Sequence, residues 1–116
     1  MATSYNMSFY KGETWKIRVI LHDASRAALN LTSGVVEFRL SDETGQRDIM
    51  TLSTDDDTIE VVNASSGTCD IQVNANAQAN IVSNASYRYE VRATDSDGVV
   101  GVQIIGKIAV KNSLFE

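Results

Sequence analysis

The feature that most constrains this chain is the alternation of apolar and polar side chains along short segments. Residues 14–22 are apolar at every odd position from 15 to 21 and polar at positions 16, 18 and 22. Residues 86–95 repeat the pattern, with Tyr87, Tyr89, Val91 and Ala93 on one face. A period of two is typical of a β-strand that buries one face and exposes the other.

Seven segments have this strand character, and a short extended piece around Leu29 and Leu31 supplies two further core residues. The predicted strands cover 14–22, 36–40, 48–53, 59–62, 68–73, 86–95 and 100–110. Gly45, Gly67 and Gly98 lie in polar turns between them, where a positive φ is often needed. Strands at this spacing predict a sandwich or barrel.

Residues 74–82 interrupt the alternation. Their alanines and glutamines favour helix, so we predict one or two helical turns here. We therefore expect an all-β, immunoglobulin-like antiparallel β-sandwich of seven or eight strands, with one short helical turn near 74–82.

The last predicted strand places many apolar residues on one face. Val100, Val102, Ile104, Gly106, Ile108 and Val110 follow a period of two, and Ile105 lies on the opposite face. We expect the first set to point into the core.

Length and charge exclude several classes of protein. At 116 residues we expect one domain, 1–116, in which 1–10 is an N-terminal arm or edge strand and 111–116 a C-terminal tail. A net charge of −5 disfavours nucleic-acid binding. Because no apolar run approaches a membrane span and the first residues do not resemble a signal peptide, we expect neither membrane insertion nor export. The single cysteine suits a reducing compartment.

Few residues could carry chemistry. His22 is the single histidine and is predicted to be a surface residue, because no nucleophile motif accompanies it. Cys69 is expected to be an inert thiol in the core. The aspartates at 55–57 and the turn at 95–98 could chelate calcium, although solvated turns are the preferred interpretation. We predict no catalytic residue, no cofactor and no metal site.

The two chain ends carry apolar groups that are unusual for termini, which normally fray. We predict that five of them are protein-contact residues: Tyr5, Phe9, Tyr10, Leu114 and Phe115. The sequence leaves open whether these ends pack on their own domain or dock on another subunit.

The motifs follow one another in a characteristic order. GETW at 12–15 opens the first long strand, and Asp23 precedes LNLTSGVVEFRL at 29–40. A Gly-centred hairpin at 59–73 leads to the Ala/Asn/Gln-rich turn at 74–80, and YRYEVRATDSDG at 87–98 leads to the closing strand. In this order the chain resembles, over residues 9–110, the small β-sandwich modules of tailed-phage virions. These include the N-terminal domains of baseplate upper proteins and related tail or fibre components.

The resemblance implies a non-enzymatic virion structural protein, a tail, baseplate or capsid-associated decoration module that is made in the host cytoplasm. Its partners would be other virion proteins and copies of itself, and it implies no catalytic residues. One alternative is a carbohydrate- or receptor-binding Ig-like module for adhesion, which predicts exposed aromatic side chains in the loops. A buried carboxylate pair in a cleft would instead favour an enzyme.

Overall fold

The structure is a computed structural model that describes residues 3–22, 27–32, 34–56, 58–78, 80–95 and 97–112. Within these ranges it contains nine strands: β1 (Thr3–Ser4), β2 (Met7–Tyr10), β3 (Trp15–Ile20), β4 (Val35–Ser41), β5 (Asp48–Ser53), β6 (Ile59–Asn63), β7 (Thr68–Val73), β8 (Ala85–Thr94) and β9 (Val100–Lys111). Two 3₁₀ turns lie at Thr54–Asp56 and Ala75–Gln78.

The strands form two sheets that pack face to face. The larger sheet has the order β5-β4-β8-β9, and both β1 and β2 pair in parallel with the far edge of β9. The smaller sheet has the order β3-β7-β6 and is antiparallel. The predicted all-β sandwich is confirmed.

The core lies between the sheets and is made of the apolar positions of the alternating strands. Trp15, Phe38, Ile71 and Val91 are fully buried there. The extended piece before β4 contributes Leu29 and Leu31, as predicted. Because β3, β4, β7 and β8 each turn an apolar face inward and a largely polar face outward, the alternation in the sequence accounts for the burial in these strands.

The short helical turn predicted near 74–82 lies between β7 and β8. It is a single 3₁₀ turn, Ala75–Gln78. Its anchors to the core are Gln78 and Ile81, each 1% exposed, whereas Val82 is 63% exposed.

A bulge in β9 makes one prediction wrong. Ile104 lies opposite Val91, but Val102 lies opposite Arg92, so Gln103 has no partner on β8. An extra residue in one strand reverses which face the following side chains take. Val100 and Val102 therefore point outward with Ile105, not into the core with Ile104.

Candidate functional site

The N-terminal residues form an edge strand on their own domain. β1 pairs with Ile104 and Ile105, and β2 pairs with residues 108–111. At the break between them, the backbone N–H of Tyr5 donates to the carbonyl oxygen of Ile105 at 2.9 Å. The side chain of Asn6 replaces the next ladder bond, because its Oδ1 accepts from the backbone N–H of Lys107 at 3.0 Å. We call residues 3–10 the arm.

Gly106 permits the close approach of the arm to β9. A Cβ added at this glycine would lie 1.9 Å from the carbonyl oxygen of Tyr5, which no other residue type could tolerate without displacement. The same carbonyl accepts a hydrogen bond of 2.5 Å from the hydroxyl of Tyr89. Burial, with a smaller contribution from Tyr5, raises the pKa of Tyr89 to about 12, so the phenol stays protonated and donates at neutral pH.

The second half of the arm is attached to the core through aromatic side chains. The ring of the half-buried Phe9 stacks on Trp15, with centroids 5.0 Å apart and planes 13° apart. The indole Nε1–H of Trp15 donates to the carbonyl oxygen of Tyr10 at 3.2 Å. Phe9 is therefore a packing residue of its own domain as well as a predicted contact residue.

The turn that joins the arm to β3 is clamped by Gln78. The Oε1 of Gln78 accepts from the backbone N–H of Gly12 at 2.9 Å, and its Nε2 donates to the carbonyl oxygen of Glu13 at 2.6 Å. The carboxylate of Glu13 accepts from the backbone N–H of Tyr10 at 2.6 Å. Gly12 has a φ of 90°, which favours glycine. These hydrogen bonds thus fix the direction in which the chain runs from the arm into β3.

The other predicted contact residues have different surroundings. Tyr5 and Tyr10 are 62% and 49% exposed, and the ammonium of Lys111 lies 5.8 Å from the ring centroid of Tyr10. Leu114 and Phe115 lie outside the described residues. The structure thus brings Phe9 and Tyr10 together on one strand and places Tyr5 at the break that precedes it.

An exposed apolar stripe on β9 was missed by the sequence reasoning. It consists of Val100, Val102 and Ile105, which are 55%, 37% and 38% exposed, and Val99, which directly precedes the strand, is 63% exposed. Residues 99–106 contain no charged side chain. The sequence feature that could have indicated the stripe is the adjacent pair Ile104 and Ile105, which cannot both lie on the buried face of a strand with a period of two.

The outer face of the larger sheet is otherwise charged. Arg92 pairs with Glu37 at 2.8 Å, and Arg39 lies 3.5 Å from Asp48. A shallow polar cleft of about 190 Å³ lies beside them, lined by Arg39, Ser41, Gly45, Asp48, Arg88, Tyr89 and Glu90. The cleft contains neither a histidine nor a cysteine, and its charged groups are solvated, so it resembles a surface ion-pair network.

His22 and Cys69, the two residues singled out for chemistry, have different surroundings. His22 is exposed and forms an isolated bridge with Ala28. Cys69 is fully buried, and burial raises the pKa of its thiol to about 11, so it is not a thiolate at neutral pH. Among the described residues, no group of three or more His, Cys, Asp or Glu side chains could hold a metal ion. Across the same residues, no helix is long and apolar enough to span a membrane.

Comparison with known proteins adds no assignment. No protein-family model matches the chain, and no curated protein matches it.

Proposed function

We propose that this chain is a non-enzymatic structural protein of a tailed-phage particle, a tail, baseplate or capsid-associated module that acts by protein–protein contact. The observation that carries the proposal is the arm, a rigid edge strand that holds Tyr5 and Tyr10 in solvent. Exposed aromatic side chains on a fixed backbone lose little conformational entropy on binding, and tyrosine is enriched at the energetic centres of interfaces. The resemblance over residues 9–110 supplies the phage assignment.

Three features of the surface support an assembly role. The arm is fastened by the hydrogen bond from Tyr89 to Tyr5, and the turn that follows the arm is held by Gln78. The apolar stripe on β9 adds an uncharged strand edge, and such edges pair readily with other chains. Tyr5 lies next to the stripe at the edge of the larger sheet, because its backbone N–H bonds to the carbonyl oxygen of Ile105.

The adhesion alternative has less support. Carbohydrate sites stack sugars on exposed aromatic rings, but Trp15, Tyr87 and Tyr89 are buried in the sandwich. Among the described aromatic residues, the exposed ones are Tyr5 and Tyr10, both on the arm rather than in the loops. The polar cleft beside Arg39 offers no aromatic platform on its surface, since Tyr89 there is 3% exposed.

The test is to look for the chain in particles. Particles are purified on a density gradient from a lysate of the bacterial culture that produces the phage, and the chain is quantified against the major capsid protein. We expect it to band with the particles in a fixed ratio, whereas a phage-encoded lytic enzyme stays in the soluble fraction. Absence from intact particles would overturn the proposal.

Incorporation of variants then tests the arm. Tyr5→Ala and Tyr10→Ala should lower the amount of chain per particle, because each removes an exposed ring and leaves the core intact. Val82→Ala is the matched control, since Val82 is as exposed as Tyr5 and is not part of the arm. Equal incorporation of all three variants would remove Tyr5 and Tyr10 as contact residues.

A further inference from the structure

We propose that residues 99–103 pair with the same residues of a second copy of this chain, antiparallel and about a two-fold axis at Gly101. The inference rests on the proposed function and deepens it, because it names a partner and the surface that meets it. The pairing would join the two larger sheets edge to edge through β9.

The first step is that, among the described strands, this part of β9 is paired along one edge only. β8 pairs with β9 from Val100 to Val110, apart from the bulged Gln103, and the described part of β1 begins opposite Ile104. Of the strands in the described ranges, none pairs with residues 100–103 on the other side. The carbonyl oxygen of Val99 accepts from Asp95 and so faces the β8 side. By the alternation of an antiparallel ladder, Val100 and Val102 direct their N–H and C=O groups to the open edge.

The second step is that the side chains at this edge are apolar and exposed. Four of the ten exposed large apolar or tyrosine side chains of the described residues fall within residues 99–105. The bulge at Gln103 is the cause, because it turns Val100 and Val102 to the outer face beside Ile105. An uncharged open edge flanked by valines is a template for strand addition, and soluble proteins usually protect such an edge.

The third step selects a second copy as the partner. A two-fold axis sets each residue before the centre of the strand opposite the residue that lies the same distance after it in the other copy, so like charges in symmetric positions repel. On the β3 edge, Lys16 would oppose Arg18 of the other copy. The β6 edge carries Glu60 and is interrupted by a bulge between Val61 and Asn63. Residues 99–103 contain no charge and can face themselves without repulsion.

The β5 edge is the remaining comparison. It is uncharged after Asp48, but none of its large apolar side chains is among the exposed ones. It therefore lacks the apolar side-chain contact that the β9 edge offers to a second copy.

The register follows from the length of the open segment. The turn that ends at Gly98 closes one side and β1 at Ile104 closes the other. Pairing centred on Gly101 fits between these limits and sets Val100 opposite Val102 of the second copy. The four valines would then lie together on the outer face, at the cross-strand spacing of about 5 Å.

The expected dimer is weak in isolation. Stable interfaces bury about 800 Å² per partner, which a five-residue strand does not reach. We expect a dissociation constant in the micromolar range or above, and tighter association where several copies are held together in a particle.

The experiment is sedimentation of the full chain from micromolar to millimolar concentration. We expect the wild type to shift from monomer to dimer, and Val102→Lys to weaken the dimer at least about tenfold, because both copies bring an ammonium into the apolar contact. Val82→Lys is the matched control and should dimerise like the wild type. The double variant Val100→Cys/Val102→Cys should form a covalent dimer on mild oxidation, whereas Val82→Cys should not. The buried Cys69 does not compete.

Each outcome decides the matter. A wild-type chain that stays monomeric at all concentrations, or a Val102→Lys variant that dimerises like the wild type, overturns the pairing. A monomeric chain that is nevertheless found in particles leaves the proposed function standing without this interface. A chain that dimerises as expected but is absent from particles overturns the proposed function and leaves the pairing standing.

Discussion

Replacing Gln78 should loosen the arm without a change in the sheets. Its side chain is 1% exposed and bridges two successive residues of the turn before β3, the N–H of Gly12 and the carbonyl of Glu13. Gln78→Met removes both hydrogen bonds but keeps the length and approximate volume of the side chain. The effect on unfolding free energy can therefore be assigned to the two bonds.

The magnitude follows from the accessibility of the two partners. A net hydrogen bond is worth about 1 kcal/mol, and a buried group left without a partner costs up to about 3 kcal/mol. Gly12 and Glu13 are on the surface, so water can replace Gln78 there and the lower figure applies. We expect Gln78→Met to lower the unfolding free energy by about 2 kcal/mol, which is about 8 °C in Tm for a domain of this size.

A second variant, Gln78→Glu, tests the two hydrogen bonds separately, because the protonation state of the new carboxyl decides whether the bond to Glu13 can form. An ionised Glu at this position still accepts from Gly12 but opposes the carbonyl oxygen of Glu13, which Nε2 of Gln78 now contacts at 2.6 Å. Burial and this repulsion should raise the folded-state pKa of the new carboxyl above its unfolded value. Its stabilising protonated form is then present below the unfolded pKa, about 4, and is lost as pH rises through the folded pKa.

The assay is urea unfolding of wild type, Gln78→Met and Gln78→Glu at pH 4 and pH 7, with hydrogen exchange of the arm amides. We expect the unfolding free energy of Gln78→Glu to match or exceed that of Gln78→Met at pH 4 and to fall below it at pH 7. In both variants the arm should lose protection before β7 does. Two results would contradict this reasoning. One is an unfolding free energy of Gln78→Met within about 0.5 kcal/mol of the wild-type value. The other is an unfolding free energy of Gln78→Glu that depends on pH no more than that of the wild type does.

Three further predictions concern the same arm. Phe9→Ala should lower the unfolding free energy by about 2–3 kcal/mol and shift the fluorescence of the single tryptophan to the red. Tyr10→Ala, which removes an exposed ring, should lower it by less than about 1 kcal/mol. Equal losses of unfolding free energy in the two variants would contradict the stacking. Gly106→Ala should detach the arm, since the added methyl meets the carbonyl of Tyr5, and amide exchange of residues 3–8 should rise while that of β8 stays slow; an arm that keeps its protection would contradict the close approach. Because the pKa of Tyr89 is raised to about 12 by burial, its contribution to stability is complete below pH 10 and is lost as the pH rises toward 12. Alkaline unfolding should therefore be steeper in the wild type than in Tyr89→Phe, and identical slopes would show that this phenol does not titrate differently on unfolding.

The pairing partners of the arm could not be read from the sequence. Residues 3–10 contain a run of aromatic and small polar side chains, which indicated an edge strand or a docking arm without deciding between them. The decision depends on Gly106, about a hundred residues later, where the missing side chain makes room for Tyr5. A glycine in a strand interior signals a close approach, but it does not say which backbone approaches.

The stripe on β9 shows a different limit. The period of two predicted Val100 and Val102 in the core, and a single bulge at Gln103 turned them out. The adjacent Ile104 and Ile105 show that the period of two breaks, but they do not place the bulge at Gln103, because its position depends on how β8 and β9 align around their shared turn. The candidate self-pairing edge therefore exists only in the folded chain.

What the sequence determined by itself was the position of the strands from β3 to β9 and the buried faces of β3, β4, β7 and β8, because alternation of apolar and polar side chains acts locally and does not depend on neighbouring strands. Trp15, Phe38, Ile71 and Val91 lie in the core for that reason. What the tertiary structure decided was which edges are closed. The parallel docking of the arm, the Gln78 clamp and the open end of β9 arise from contacts between residues far apart in the chain, whose geometry is fixed only when the sheets have packed.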